Sequence, residues 1–116
     1  MKLTGLIAAP VSPFDAHAKV DVSRVPAYAA FLKERGVAGA FVNGSTGESL
    51  SLSVSERKAI AEAWCAAPCG LKIIVHVGSN SLPEAEELAA HAQSAGADAI
   101  GAIPACFFRP KLEGIL

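Results

Sequence analysis

Short apolar runs closed by glycine, proline or hydroxyl residues alternate along this chain with longer stretches whose apolar positions recur every three or four residues. Leu6-Ile7-Ala8-Ala9, bounded by Gly5 and Pro10, predicts a first strand, after which Pro10 and Pro13 force an extended loop carrying Ser12, Phe14 and Asp15. Val22, Val25, Ala29 and Leu32 share one face of a helix that Asp21 is placed to cap and Gly36 to end in the left-handed conformation. Gly39 to Val42 predicts the second strand. Ser53 with Glu56 matches the capping box that opens a second helix. In it Ile60, Ala63, Trp64 and Ala67 form the buried stripe, with Glu56, Arg57, Lys58 and Glu62 on the wet face. Trp64 therefore belongs to the expected core. Ile73-Ile74-Val75-His76-Val77 predicts the third strand, closed by Gly78-Ser79-Asn80. Ser81 with Glu84 repeats the capping box, Pro83 sits in the first turn, and Ala85, Leu88, Ala89 and Ala92 give the third helix its buried face as far as Gly96. Ala99 to Ile103 is the fourth strand, and Pro104 ends it.

Strands and helices thus alternate at close to the ~30-residue spacing of βαβ units, which implies an α/β fold with parallel strands and right-handed crossovers. A doubly wound sheet and a barrel share this pattern. Both place binding sites at the carboxyl ends of their strands. On that edge the stretch Ala40-Phe41-Val42-Asn43-Gly44-Ser45-Thr46-Gly47-Glu48 stands out, because an apolar run opens abruptly into small and hydroxyl-bearing residues. Gly44 and Gly47 can take φ > 0 and carry no side chain, so successive N–H groups can converge on an anion such as a carboxylate. Ser45 and Thr46 add two hydroxyls that both donate and accept. A Gly-rich turn that merely caps the following helix is the plainer alternative, but Ser53 already supplies that cap.

Composition narrows the field. The chain has 116 residues, one domain in length, with net charge −1 and 52% hydrophobic residues, which argues against a disordered tail or a nucleic-acid partner. No apolar run approaches the roughly 20 residues of a membrane span, and the start, Met1-Lys2-Leu3-Thr4-Gly5, lacks the pattern of a signal peptide, so a cytoplasmic location is expected. Three cysteines do not suggest a disulfide framework. Pro68 breaks the register between Cys65 and Cys69, which leaves reduced structural thiols as the expectation. No Asp, Glu and His cluster has metal-ligand spacing.

Gly44-Ser45-Thr46-Gly47-Glu48, followed by Leu50-Ser51-Leu52 and Glu56-Arg57, resembles the signature of the class I aldolases typified by dihydrodipicolinate synthase and N-acetylneuraminate lyase. The likeness runs from Gly5-Leu6-Ile7 through Asn43, Val77-Gly78 and Gly96-Ala97-Asp98-Ala99 to Pro104. Phe41 to Leu50 is most similar to the sialic acid lyase branch. Phe107-Phe108-Arg109-Pro110 stands where the synthase branch usually shows a tyrosine, although some lyases carry Phe there too. The resemblance implies a TIM (β/α)₈ barrel, here the N-terminal half over residues 1–116 with four strands and three helices. It implies cleavage of N-acetylneuraminate to pyruvate and N-acetylmannosamine through a lysine Schiff base, with a tyrosine moving the proton and no metal or organic cofactor. Carried over by position, the amides of Ser45 and Thr46 hold the keto-acid carboxylate. The Ser45 hydroxyl joins the proton relay, Gly44 and Gly47 shape the loop, and Glu48 buttresses it. The full-length family implies a homo-oligomer, a tetramer.

The family's lysine and tyrosine come from later strands, and a TIM barrel needs ~250 residues. Lys33 and Lys58 fall on outward helix faces, Lys72 precedes the third strand, and Lys2 and Lys19 lie at the opposite edge and in a loop. Lys111 lies beyond a strand end but has the surroundings of a solvated surface residue. Tyr28 belongs to the first helix, His76 reads as a satisfied core histidine, and His17 and His91 read as surface residues. This chain alone is therefore expected to be inactive. Two other readings remain: a relative acting as 4-hydroxy-tetrahydrodipicolinate synthase or on another sugar acid, and a non-catalytic half-barrel that self-associates through its open edges with marginal stability.

Overall fold

The computed structural model describes residues 2–106 and 111–115. The segment Phe107-Phe108-Arg109-Pro110, which bears on the choice between branches, lies outside the described residues. Four strands, β1 (Ile7–Ala8), β2 (Gly39–Val42), β3 (Lys72–His76) and β4 (Ala99–Gly101), form a parallel sheet in the order β1-β2-β3-β4. The register pairs Ile7 with Gly39, Ala40 with Ile73 and Val75 with Ile100. Helices α1 (Val25–Glu34), α2 (Val54–Ala66) and α3 (Leu82–Ala95) connect them, and the single turn α4 (Leu112–Ile115) follows β4.

Strand order decides between the two architectures that the pattern allowed. A doubly wound sheet reverses its order at a switch point and places helices on both faces. Here order follows sequence throughout, and α2 packs between α1 and α3, so the helices form one layer on one face. With right-handed crossovers this is how a (β/α)₈ barrel begins.

The core lies between that helix layer and the sheet. Ala40, Val42, Ile73 and Val75 from the strands meet Val25, Ala29 and Leu32 of α1, Ile60, Ala61 and Trp64 of α2, and Leu88 and Ala92 of α3. Trp64 is 1% exposed and meets Tyr28 edge-on, with ring centroids 5.5 Å apart. Most expected stripe positions face this core because of their helical spacing, but Val22 does not: it lies in the turn before α1 and is 36% exposed. The opposite face of the sheet, with Phe41 and Ile74, is only half-buried, while Leu6 at one end and Ile100 and Ile103 at the other are 72%, 52% and 51% exposed.

Helix starts follow local chemistry, with two corrections. The capping box of α2 is present: the Glu56 amide donates to Ser53 Oγ at 3.2 Å, and the Ser53 amide donates to Glu56 Oε2 at 2.7 Å. Asp21, however, caps a turn of 3₁₀ helix over Val22–Arg24 rather than α1 itself. Pro26 has no N–H to give the Val22 carbonyl, so the Val25 amide closes the tighter turn instead. At α3, Ser81 makes no side-chain cap, because Pro83 removes one of the two amides an N-cap oxygen serves. Ser79 takes over, donating from Oγ to Glu84 Oε2 at 2.9 Å and accepting from the Ser81 amide at 3.1 Å. Gly36 and Gly96 end α1 and α3 at φ 79° and 90°, as expected. His91, expected at the surface, bridges α3 to α2 there in an exposed contact with Glu62 Oε1 at 2.7 Å.

Candidate functional site

The loop from Asn43 to Ser49 leaves β2 at the carboxyl edge of the sheet. Its left-handed residues are not the expected glycines but Asn43 and Glu48, both at φ 59°. Asparagine adopts that region at the lowest cost among residues with side chains. Close approach is what favours Gly44 and Gly47 instead. A Cβ on Gly44 would lie 2.9 Å from the Phe41 ring, and one on Gly47 would lie 3.3 Å from Asn43 Cα. Inside the loop the Glu48 amide donates to Ser45 O at 3.0 Å and the Ser49 amide to Gly44 O at 3.3 Å. Ser12, arriving from the loop after β1, donates from Oγ to Gly47 O at 2.6 Å. Glu48, expected to buttress the loop, is exposed and makes no side-chain cap, and the buttressing contact comes from Ser12 instead.

Ser45 and Thr46 are exposed, and among the described residues no acceptor is paired with either amide. Ser45 lines a cleft of about 210 Å³ together with Ser49, His76, Gly78, Asn80 and Ile103. Thr46, Gly44 and Gly47 lie on the loop without lining it. The cleft thus collects the carboxyl ends of β2, β3 and β4 around one open serine. No lysine or tyrosine lines it among the described residues. Lys72 Nζ pairs with Asp98 Oδ1 at 2.9 Å at the amino end of β3, Lys111 is exposed, and Tyr28 is in α1.

Beneath the loop lies a polar cluster that the sequence reading left out. Arg57, assigned to the wet face of α2, is only 5% exposed. Its NH1 donates to Gly78 O at 2.9 Å and its NH2 to His76 O at 2.8 Å. The signal was in the spacing: Arg57 precedes Ile60, Ala61 and Trp64 by three, four and seven residues and so shares their stripe. Asn43 Nδ2 donates to Arg57 O at 2.8 Å, tying the loop entrance to α2.

His76 is buried at 3% exposure, as a satisfied core histidine should be. Its Nε2 accepts the Ile103 amide at 3.2 Å, so Nδ1 carries the proton and donates to Asn43 O at 3.0 Å. Burial lowers its pKa from 6.5, the nearby Arg57 cation lowers it further, and the Asn43 contact opposes both. Burial also lowers the Arg57 pKa, with Glu84 opposing, though a guanidinium stays charged in any protein.

This histidine sets an expected pH dependence. Its folded-state pKa lies below 6.5 while the unfolded ring titrates near 6.5, so the unfolded chain binds the extra proton. The stabilisation is complete above about pH 6.5 and is lost as pH falls from there through the folded value. Asp98, held below its ordinary 3.8 by the Ile73 amide and Lys72, acts only in a separate, more acidic window. Urea midpoints measured from about pH 7.5 down to 5 should fall for the native chain and stay flatter for His76→Asn. Parallel slopes would show that His76 does not set this dependence.

The three cysteines are free, and burial raises the Cys65 thiol pKa, away from thiolate chemistry. No group of three His, Cys, Asp or Glu side chains is placed to hold a metal among the described residues. No helix there is long and apolar enough to cross a membrane.

A sequential parallel sheet, helices on one face and a cleft at the carboxyl edge define an open segment of a (β/α)₈-barrel protein. The chain belongs to the dihydrodipicolinate synthetase family, whose model matches residues 2–116. It is 46% identical over 112 residues to the N-acetylneuraminate lyase of Danio rerio, an alignment covering 94% of this chain and 36% of the relative. The solved Proteus mirabilis N-acetylneuraminate lyase superposes with a TM-score of 0.91 at 44% identity, over 96% of this chain and 38% of that one. A Ruminococcus gnavus sialic acid aldolase described as a catalytic lysine mutant superposes at 0.88 with 33% identity, over 95% of this chain and 36% of that one. The chain therefore spans little more than a third of the length of these proteins.

Proposed function

We propose that this chain is the N-terminal, carboxylate-holding part of a class I aldolase that cleaves N-acetylneuraminate to pyruvate and N-acetylmannosamine. The observation that carries the reading is Ser45, whose open amide and hydroxyl stand in the cleft at the end of β2. In this reading the Ser45 and Thr46 amides hold the keto-acid carboxylate, and Ser45 Oγ joins the proton relay. Donors fixed by the loop orient the substrate without rearranging during reaction. The electrons of the breaking carbon–carbon bond enter an iminium formed on a lysine, and a tyrosine takes the proton. Both groups belong to strands later than β4, so the chain alone does not turn over. The relative described as a catalytic lysine mutant supports such a lysine. Neither a metal nor an organic cofactor is required. The location in this reading is the cytoplasm, and the full-length protein is a homo-oligomer, a tetramer.

Titration of the ¹⁵N-labelled chain with pyruvate tests the carboxylate site. The Ser45 and Thr46 amides should shift progressively, and shifts confined to other residues would sink the assignment. N-acetylneuraminate cleavage should appear only in a polypeptide that continues through the later strands. Dihydrodipicolinate synthase-type chemistry is the alternative within the family, and the lyase similarity argues against it. The apolar exposure of Leu6, Ile100 and Ile103 near the open strands β1 and β4 favours a second reading, a non-catalytic half-barrel that self-associates. Sedimentation of a lasting monomer would count against that one.

A further inference from the structure

We propose that His76 is a positioning residue of the keto-acid site, locking Asn43 in the left-handed conformation that presents the Ser45 and Thr46 amides, with Arg57 as the buried clamp on its ring. The proposal rests on the carboxylate reading of that loop and adds the device that aims it.

Asn43 is the hinge between β2 and the loop, at φ 59° and almost fully buried. Asparagine takes this conformation at low cost, yet it remains less favoured than extended or helical backbone, so the contacts made by Asn43 decide whether the loop keeps its direction. Asn43 is held once through its backbone and once through its side chain: its carbonyl accepts from His76 Nδ1 at 3.0 Å, and its Nδ2 donates to Arg57 O at 2.8 Å. The turn bonds within the loop fix its shape and Ser12 holds its far end through Gly47 O, while these two contacts fix the angle at which it leaves β2. His76 can perform this task in one tautomer alone. The Ile103 amide, 3.2 Å from Nε2, requires a lone pair there and so places the proton on Nδ1. One ring consequently ties the carboxyl ends of β2, β3 and β4 together.

Arg57 explains how the ring is kept in that form. Its NH2 lies 3.3 Å from Nδ1 while donating to His76 O, and its NH1 holds Gly78 O. No carboxylate among the described residues lies within ion-pair distance of it, and its Nε, like Asn43 Oδ1, is buried without a protein partner. A buried cation of this kind is costly, and an apolar side chain of similar volume would pack the same stripe at less expense. What the cation adds is electrostatic. It opposes a second positive charge on the ring, and it places positive charge behind the loop that faces an anion.

The test uses the full chain with pyruvate as probe. Long-range ¹H–¹⁵N correlation should show the His76 ring neutral, with the proton on Nδ1. Pyruvate titrations followed at the Ser45 and Thr46 amides are then compared across variants. His76→Leu removes the donor to Asn43, and binding should weaken about tenfold, the worth of one such hydrogen bond. His76→Asn restores a donor where Nδ1 stood, and His76→Gln places its amide where Nε2 stood. Asn should bind within about threefold of the native chain while Gln resembles Leu. A structural role alone would not separate Asn from Gln in this way. Should Leu fail to fold, the Asn and Gln pair and the native tautomer still decide. A native ring protonated on Nε2 overturns the proposal, as do variants that bind as the native chain does. A native chain whose loop amides ignore pyruvate overturns the carboxylate reading and this proposal with it.

Discussion

Replacing Trp64 by alanine is expected to cost about 3–5 kcal/mol, the range for emptying a buried aromatic site. The indole is 1% exposed on the inward stripe of α2, between the sheet and the Tyr28 ring of α1. Its removal therefore opens a cavity where two helices and the sheet meet. A domain of this size has only about 5–15 kcal/mol in total. Here one sheet face is half-buried and several edge residues are exposed, so the reserve is expected at the low end. Trp64→Ala should leave the chain largely unfolded in dilute buffer, and Trp64→Phe should retain a cooperative transition. Circular dichroism during urea titration is the measurement, since the substitution removes the fluorophore. A loss below about 1 kcal/mol would mean that the helix layer collapses onto the gap, against the packing described above.

The layout of the fold was legible in the sequence because its elements carry redundant signals. Val25, Ala29 and Leu32, or Ile60 and Trp64, each mark a helix face by spacing, and Gly36 and Gly96 mark where two helices stop. Strand order was not legible, since periodicity reports which face is buried and not which strand is adjacent. The site was legible in part. Ser45, which the fold places in the cleft, stands out in the sequence because a hydroxyl between glycines at a strand end has few structural uses. The conformations around it were misassigned because Gly is the default left-handed residue, while in the folded chain Asn43 and Glu48 take that role and the Phe41 ring crowds the space a Cβ at Gly44 would need. Arg57 was misplaced for a related reason. Charge suggested solvent, but helical spacing placed the residue on the stripe, and the carbonyls of His76 and Gly78 supply the acceptors that make burial tolerable. Those partners come from the end of β3, about twenty positions on, and nothing local to Arg57 announces them. The failed cap at Ser81 shows the limit at shorter range, since a spacing match took no account of the amide that Pro83 lacks.

The rim of the cleft should respond to a single methyl group at Gly78. Its φ lies outside the left-handed region, so alanine there would meet no conformational objection, and the whole effect should come from space. The added Cβ would stand 2.8 Å from His76 Nε2, 2.8 Å from Ile103 O and 2.9 Å from Ile103 N. Two of these neighbours are backbone and the third is a ring held on both nitrogens, so none can swing aside as a flexible side chain would. The chain leaving β4 must retreat, and the Ile103 amide, already 3.2 Å from Nε2, is the bond that breaks first. Overpacking of this kind costs about 1–3 kcal/mol, and the lost hydrogen bond adds roughly 1 kcal/mol. Gly96→Ala provides the contrast, because a Cβ there meets open space while φ is 90°. Its cost should be conformational, about 1 kcal/mol, and confined to the end of α3. Amide exchange separates the two: Gly78→Ala should release the Ile103 amide selectively, whereas Gly96→Ala should leave it protected. Equal protection of Ile103 in both variants would show that the end of β4 is not held against His76. The junction of β2, β3 and β4 would then lack the rigidity on which the proposed carboxylate site at Ser45 depends.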